Sequence, residues 1–328
     1  MKVYYKITNS SEYHHDYQYH DGLNILNDEF SPNNFGPGGF SYTNAKCIIN
    51  YLDFGTNLRL VAVPDNLNLK TFKISNGKEV YWRSNQIFLG QKMPLSDPAT
   101  FQYLEKRKAP ILKKKVVIWV AKMGYLDVMK YLVEKGADVR CRNDEPLKVA
   151  AGSGHIPMIE YLLTIHKISI HVGADAPLRR AAMSGHTLMV KWLWLHDADI
   201  TTVENEALRF SVLTKDLDLV KFLLDAGADL SVRDHITFRW AIRSGCVPMA
   251  RLILAYGGKI DIINSDILSN LIDDNHAEMV KFVTDLHEFT SAELALAARK
   301  AKSKSMRRLI QGITRQAAHG QSQAISYL

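Results

Sequence analysis

The chain has 328 residues, of which 47% are hydrophobic and 23% charged, and its formal net charge is +7. This composition is typical of globular proteins and excludes a largely disordered chain. Three widely spaced cysteines exclude a disulfide framework and a cysteine-rich zinc site, and apolar runs such as VVIWVA (116–121) are too short for a membrane span. We therefore expect a cytoplasmic, monomeric protein with more than one folding unit.

Residues 1–95 are rich in Tyr, Asn and Gly and contain short alternating apolar runs. Strands bounded by turn residues are predicted at VYYKIT, YQYHDGLNIL, GGFSYT, NLRLVAV, KTFKIS and NQIFLG. The segment NAKCIINYLDFG (44–55) predicts one helix, with Asn44 as its N-cap and Gly55 at its end. The sequence therefore predicts a small α+β domain.

One cluster in this domain resembles a metal site. It comprises His14, His15, His20 and Asp21, but the adjacent histidines would point to opposite sides of a strand, so we predict no metal site. An alternative stays open, in which this domain carries an enzymatic or metal-dependent activity and the rest of the chain selects the substrate. A pocket where His14, His20, Asp21 or Arg83 converge would favour that alternative.

The sequence contains no recognisable cofactor or catalytic pattern. The glycines of FGPGGF (35–40) are followed by no GK[ST], so they indicate a turn and not a phosphate loop. No Ser/His/Asp or Cys/His spacing suggests a nucleophile. We predict no catalytic residues and no cofactor.

A repeat of about 30 residues fills most of the remaining chain. Its most regular column, spaced 30 or 31 residues apart, comprises Gly124, Gly154, Gly185, Lys215, Gly245 and Asn275. Apolar pairs such as Tyr131-Leu132 follow seven and eight residues after each column position. A fixed period of this length predicts a solenoid whose units bury their apolar faces by stacking.

Each unit reads as two helices joined by a glycine turn. The segment DVMKYLVEKGADV places apolar residues on one helical face and ends at Gly136, and EPLKVAAGSGH begins a second helix near Pro146. These residues resemble ankyrin repeats. The family pattern T-P-L-H-x-A-A-x-x-G-H is met by EPLKVAAGSGH and APLRRAAMSGH, over about residues 98–313.

The resemblance implies an ankyrin-repeat solenoid and sets the domain boundaries. We predict the α+β domain at 1–95, the repeat array at 96–313 and a tail at 314–328. The array would comprise a half-repeat cap starting at Asp97-Pro98, about six repeats and a basic C-terminal cap. About three residues are missing between GAD and PL relative to the family's 33-residue unit, which predicts a shortened hairpin.

The N-terminal stretches YHDGLN (19–24), GGFSYT (38–43) and YWRSNQIFLG (81–90) resemble the leader domain of ankyrin proteins encoded by mimivirus-like giant DNA viruses of amoebae. This resemblance implies a viral protein that acts on host proteins in the host cytoplasm.

The ankyrin resemblance implies a non-catalytic adaptor or scaffold that binds a partner protein through the concave side of the repeats. The candidate contacts are Arg140, Arg142, Asn143, Lys148, Ser153, Arg179, Ser184, Arg209, Thr214, Arg233, Asp234, His235, Arg239 and Arg243. One column of these, Lys148, Arg179, Arg209 and Arg239, has two interpretations: a basic surface for an acidic partner, or residues that each bond a neighbouring loop. His155 and His186 are expected to bond turn backbone.

Two basic blocks, Lys106–Lys115 and Arg299–Arg315, raise the question of nucleic acid. Aromatic residues do not alternate with these basic residues, and a terminal repeat needs a polar outer face in any case. Nucleic acid is therefore not the partner we predict.

Overall fold

The computed structural model describes residues 2–32, 38–75, 77 and 79–325, without the side chains of Asp234 and residues 317–325. The chain forms two compact units, Met1–Ile168 and Ser169–Leu328. The domain boundary predicted after residue 95 stays a prediction, although strands give way to helices between Pro94 and Pro98. Residues 35–37 of the turn predicted at 35–40 lie outside the described residues.

The first unit begins with a β-sheet. Its strands are β1 (Tyr4–Thr8), β2 (Tyr13–His14), β3 (Tyr17–Gln18), β4 (Gly22–Ile25), β5 (Phe40–Thr43), β6 (Asn57–Ala62), β7 (Thr71–Ser75), β8 (Val80–Ser84) and β9 (Gln86–Pro94). Within the described residues, seven of them form one antiparallel sheet in the order β4-β9-β6-β1-β5-β8-β7, and β2 pairs with β3. Each predicted segment thus contains a strand, but YQYHDGLNIL forms two strands, β3 and β4, and β2 and β8 are additional.

Aromatic side chains cover one face of this sheet. Tyr19, Phe40 and Tyr42 are buried there with Val61, Ile87 and Leu89. The rings of Tyr42 and Trp82 stack with centroids 6.3 Å apart. Tyrosine-rich strands therefore supply the apolar area that this small sheet needs to stay folded.

The helix predicted over 44–55 exists, but it is shorter and of another type. The main-chain oxygen of Asn44 accepts from the N–H groups of Cys47 and Ile48, so the chain first makes a turn. A 3₁₀ helix then runs over Ile48–Phe54 and packs against β1. Asn44 is thus not the N-cap of the 3₁₀ helix, a position that Cys47 occupies, but it caps the preceding turn, where its Oδ1 accepts the Cys47 N–H at 3.1 Å.

Helices form the rest of both units. The first unit contains α1 (Pro98–Lys106), α2 (Lys114–Met123), α3 (Leu126–Glu134), α4 (Cys141–Gly152) and α5 (Ile156–Thr164). The second contains α6 (Val172–Met183), α7 (Thr187–Leu195), α8 (Thr202–Thr214), α9 (Leu217–Asp225), α10 (Val232–Arg243), α11 (Val247–Ala255), α12 (Ser265–Asp273), α13 (Ala277–Leu286), α14 (Ser291–Lys300) and α15 (Lys304–Ile325). A short 3₁₀ turn, Ile260–Ile262, precedes α12.

These helices alternate between an inner row and an outer row. In the second unit the inner helices α6, α8, α10 and α12 pack side by side, and the outer helices α9, α11 and α13 do the same. Leu178, Leu208 and Leu223 are fully buried between them. Burying each such side chain contributes roughly 1.5–3 kcal/mol, which makes the apolar columns the main source of repeat stability.

The shortened hairpin takes an unusual form. In place of a β-hairpin, α4, α6 and α8 each contain three consecutive residues with left-handed backbone angles near their start. The triplet before α4 is Arg142, Asn143 and Asp144, with φ of 53°, 59° and 56°. Matching triplets are Gly173–Asp175 and Val203–Asn205. Left-handed angles cost a non-glycine residue roughly 1–2 kcal/mol, so side-chain bonds must hold these turns.

The C-terminal helix is longer than predicted. We expected an outer helix near Met306–Ile310 and a tail from residue 314, whereas α15 continues to Ile325. The segment after Ile310 contains no proline and several Ala and Gln, which favour continued helix. Residues 326–328 of the predicted tail lie outside the described residues.

Candidate partner-binding surface

The last residue of the left-handed triplet in α6 and in α8 links one repeat to the next. Asp175 and Asn205 are buried, and their side-chain oxygens accept the main-chain N–H groups of Asp199 and Asp229 at 3.1 and 3.0 Å. His171 Nδ1 also lies 2.9 Å from Asp175 Oδ1. These bonds satisfy buried N–H groups between repeats, so this position is polar for a structural reason.

Two arginines of the basic column stabilise the triplets from inside. Arg179 Nε and Nη2 donate to the carbonyls of Ala174 and Gly173 at 2.9 and 2.8 Å. Arg209 repeats the pattern on Glu204 and Val203 at 3.0 and 3.2 Å. The rigid fork of a guanidinium suits two neighbouring carbonyls. This geometry agrees with the loop-bonding interpretation of the column.

Lys148 and Arg239, the other members of the column, are also buried or half-buried. Lys148 is 8% exposed, and its ammonium lies 3.6 Å from Glu145. Arg179 makes an ion pair with Glu206 as well, and Arg239 is half-buried. Burial lowers the pKa of Arg179 and of Arg209, and both remain protonated at neutral pH. Contact of this column with a partner stays a prediction.

Most candidate residues in the turns are exposed, and two of them, Arg140 and Arg233, already bond other parts of the protein. Arg140 donates to the carbonyls of His166 and Lys167, and Arg233 pairs with Glu204. Arg142 and Asn143 are exposed, and His235 is buried with φ of 55°. The side chain of Asp234 lies outside the described residues.

The ends of the inner helices carry the exposed candidates. Ser184 follows α6, Thr214 ends α8 and Arg243 ends α10; Ser153 caps α4 in the first unit. Ser184 and Arg243 are exposed, while Thr214 Oγ1 bonds its own helix at the Ser211 carbonyl. Thus Ser184 and Arg243 are the most accessible members of this set in the second unit.

Apolar side chains accompany them. Met183 is 51% and Leu213 53% exposed at equivalent positions of α6 and α8. One turn earlier, the half-buried rings of Phe210 and Trp240 lie 5.7 Å apart on α8 and α10. We call Met183, Phe210, Leu213, Trp240 and Arg243 the inner-helix face. It offers apolar contact area with one accessible positive charge.

Sequence reasoning missed the two aromatic members of this face. Phe210 and Trp240 occupy a column that reads Val149, Arg180, Phe210, Trp240 and Asn270, between the basic column and a column of small or apolar residues. Such chemical variety within a regular repeat is the signal of a position outside the core. The sequence alone therefore contained the information needed to find Phe210 and Trp240.

The N-terminal domain contains a pocket, but only part of the predicted cluster lines it. His14 and His15 line it, whereas His20 and Asp21 lie elsewhere, with Asp21 bonded to Arg59. His15 lies in the turn between β2 and β3 at φ 50°, so the two histidines do not alternate along one strand. Arg83 is fully buried next to Gly39. The convergence that would favour an enzymatic N-terminal domain is therefore incomplete.

The described residues contain no group of three or more His, Cys, Asp or Glu side chains that could hold a metal ion. Among the helices of the described part of the chain, none is long and apolar enough to cross a membrane.

Comparison with known proteins identifies the repeat. A family model described as ankyrin repeats (3 copies) matches residues 96–176, and another described as ankyrin repeats (many copies) matches residues 178–224. The helix pairs after residue 225 continue the same order beyond these matches.

Relatives come from Acanthamoeba polyphaga mimivirus. A putative ankyrin repeat protein is 34% identical over 170 residues, which cover 50% of this chain and 83% of the relative. A second is 35% identical over 150 residues, covering 42% of this chain and 54% of the relative. An uncharacterized protein of the same virus is 35% identical over 167 residues, covering 50% of this chain and 99% of the relative.

Proposed function

The chain belongs to the ankyrin-repeat proteins, and we propose that it is a non-catalytic adaptor that binds a partner protein through the inner-helix face. The relatives are proteins of an amoebal virus, which supports a role in the host cytoplasm on a host protein. The N-terminal domain would add a second contact or cap the array.

One observation carries this proposal: exposed apolar side chains recur at equivalent positions of neighbouring inner helices. Met183 and Leu213 are each about half exposed beside the Phe210–Trp240 pair. Isolated exposed apolar residues are ordinary on a protein surface, but a contiguous group with aromatic members is typical of interaction sites. A preformed surface on packed helices also loses little conformational entropy on binding.

The chemistry of this face indicates the kind of partner segment. Arg243 is exposed and has no ion pair among the described residues. An acidic side chain beside an apolar one would therefore complement the inner-helix face. In contrast, Arg179 and Arg209 already bond turn carbonyls, so they would support the surface and not contact the partner directly.

Site-specific photo-crosslinking tests the proposal. A photoreactive amino acid replaces Leu213 on the inner row or, as a matched control, the exposed Leu188 on outer helix α7. After expression in amoebal cells, we expect a protein adduct from position 213 and none of the same mass from position 188. An adduct from position 188 alone would refute the assignment to this face.

A further inference from the structure

A pocket of about 60 Å³ lies along the junction of β1 and β5 in the N-terminal sheet. In the described register these two strands share a single residue pair, Tyr5 with Thr43, whereas β1 and β6 share five. Both members of that pair line the pocket. Lys6 bridges the two strands by donating from Nζ to the Ser41 carbonyl at 3.2 Å. The pocket thus occupies a weakly paired line of the sheet.

The volume limits the ligand to a small group. One buried water needs about 10–15 Å³ of such volume, so the pocket holds the equivalent of about four to six waters. That is the space of one six-membered ring with a short substituent. Larger cofactors and peptide segments of several residues do not fit.

The walls favour a planar ring. Six of the fourteen lining residues are Tyr or Phe: Tyr5, Tyr19, Tyr42, Tyr51, Phe54 and Tyr81. Aromatic pairs prefer edge-to-face or offset stacked arrangements, which a lining of several tyrosines at different orientations provides. An aliphatic ligand of the same size would gain burial but not these contacts.

The charge of the lining favours an anion. Lys6, His14 and His15 line the pocket, and its described lining contains no Asp or Glu. The Lys6 ammonium lies 4.7 Å from the centre of the Tyr19 ring. The nearby Glu12 carboxylate is outside the lining and pairs with Lys92 at 3.4 Å and Arg59 at 4.0 Å.

His14 adds a hydrogen-bond donor. Its Nε2 accepts the main-chain N–H of Asn9 at 3.0 Å, which leaves the ring proton on Nδ1. Burial, together with the Lys6 ammonium, lowers the pKa of His14, so the ring is neutral at pH 7. Lys6 then carries the positive charge of the pocket and His14 a neutral N–H.

We propose that this pocket binds a small aromatic carboxylate, with its ring among the tyrosines and its carboxylate on Lys6 and the His14 N–H. The site is independent of the inner-helix face and of the adaptor function. The same chemistry is offered by a free aryl acid and by a C-terminal phenylalanine or tyrosine of a protein.

Calorimetric titration of the full chain with three probes tests the proposal. We expect phenylacetate to bind at least about tenfold more tightly than phenylacetamide, which lacks the charge, or acetate, which lacks the ring. Lys6→Met should reduce phenylacetate affinity by about tenfold, and Lys6→Arg should restore most of it. Lys73→Met is the matched control, because Lys73 lies 6.0 Å from the Trp82 ring but outside the pocket lining.

Two peptides distinguish a free aryl acid from a protein C-terminus as the ligand. A short peptide ending in a free phenylalanine carboxylate should match or exceed phenylacetate if a protein C-terminus is the ligand, and its amidated form should not bind. If phenylacetate binds and the free peptide does not, the ligand is a free acid. Equal binding of phenylacetate and phenylacetamide by the wild-type chain, or no binding of either, would overturn the proposal whether or not the variants fold.

Discussion

The imidazole of His155 lies against the α-carbon of Gly124 in the preceding repeat: a methyl group there would come within 2.5 Å of Nδ1. His155 Nε2 lies 2.9 Å from the carbonyl oxygen of Lys122, which confirms the predicted bond from this histidine to turn backbone. The same contact recurs between Gly245 and His276, also at 2.5 Å. At these two junctions the glycine and the histidine therefore interlock consecutive repeats.

Replacement of the interlocking glycine should destabilise the first unit more than replacement of a turn glycine with open space around it. Gly124 has φ of 70° and faces the His155 ring, whereas Gly136 has φ of 93° and no heavy atom within 4 Å. Both Gly→Ala variants incur about 1–2 kcal/mol of left-handed strain, and Gly124→Ala must also displace the imidazole. Urea unfolding followed by circular dichroism should give the lower midpoint for Gly124→Ala. Equal midpoints would contradict the interlock.

The arginine that bonds the left-handed triplet should be required for stability. Arg209→Lys loses the fork that reaches both Glu204 and Val203, and we expect about 1–3 kcal/mol of destabilisation. Arg243→Lys, at an exposed position, is the matched control and should change stability by less than about 0.5 kcal/mol. Thermal unfolding of the two variants measures the difference. If Arg209→Lys leaves the melting temperature unchanged, the triplet is held by other contacts.

Stability of the last repeat should depend on the ionisation of Glu293. Hydrogen bonds from Ser265 and Thr290 lower the pKa of Glu293 to about 2, from an ordinary value near 4.5. Because the folded-state pKa lies below the ordinary value, this stabilisation is complete above pH 4.5 and is lost as the pH falls towards 2. Glu293→Gln should therefore lower the melting temperature at pH 6 and have a smaller effect at pH 3.

A neighbouring carboxylate provides the control for that experiment. Glu288 is exposed before the N-cap Thr290, and Glu288→Gln should have little effect at either pH. A deficit of Glu293→Gln that is the same at pH 6 and pH 3 would show that charge on this side chain does not matter.

Much of the fold could be predicted because the same pattern of glycine and apolar residues recurs in several repeats. The columns of Gly124, Leu132 and their equivalents are constrained by packing against the next copy, so each copy supports the others. Alternating tyrosines similarly indicated the strands of the first domain. Strand β8 was missed because all five of its residues, VYWRS, lack a clear alternation.

The left-handed triplets could not be predicted from composition. Arg142 and Val203 adopt left-handed angles although neither residue type favours them, and only Asn143 is of a type that does. The turn at Val203–Asn205 depends instead on the guanidinium of Arg209, five and six residues further along the chain, and on the bond that the buried Asn205 accepts from Asp229 in the next repeat, which propensity alone does not reveal. Of the two interpretations that the sequence left open for the basic column, the same bonds favour loop bonding for Arg179 and Arg209.

The central claim is that a partner protein binds the inner-helix face. Quantitative affinity capture from amoebal lysate tests it most directly, with Met183→Glu/Leu213→Glu compared with the matched outer-row variant Leu188→Glu/Leu195→Glu. Circular dichroism establishes beforehand that both variants fold. We predict that at least one protein captured by the wild type falls about tenfold or more with the inner-row variant and is retained by the outer-row variant. Identical capture by all three proteins, or loss only with the outer-row variant, would contradict the account.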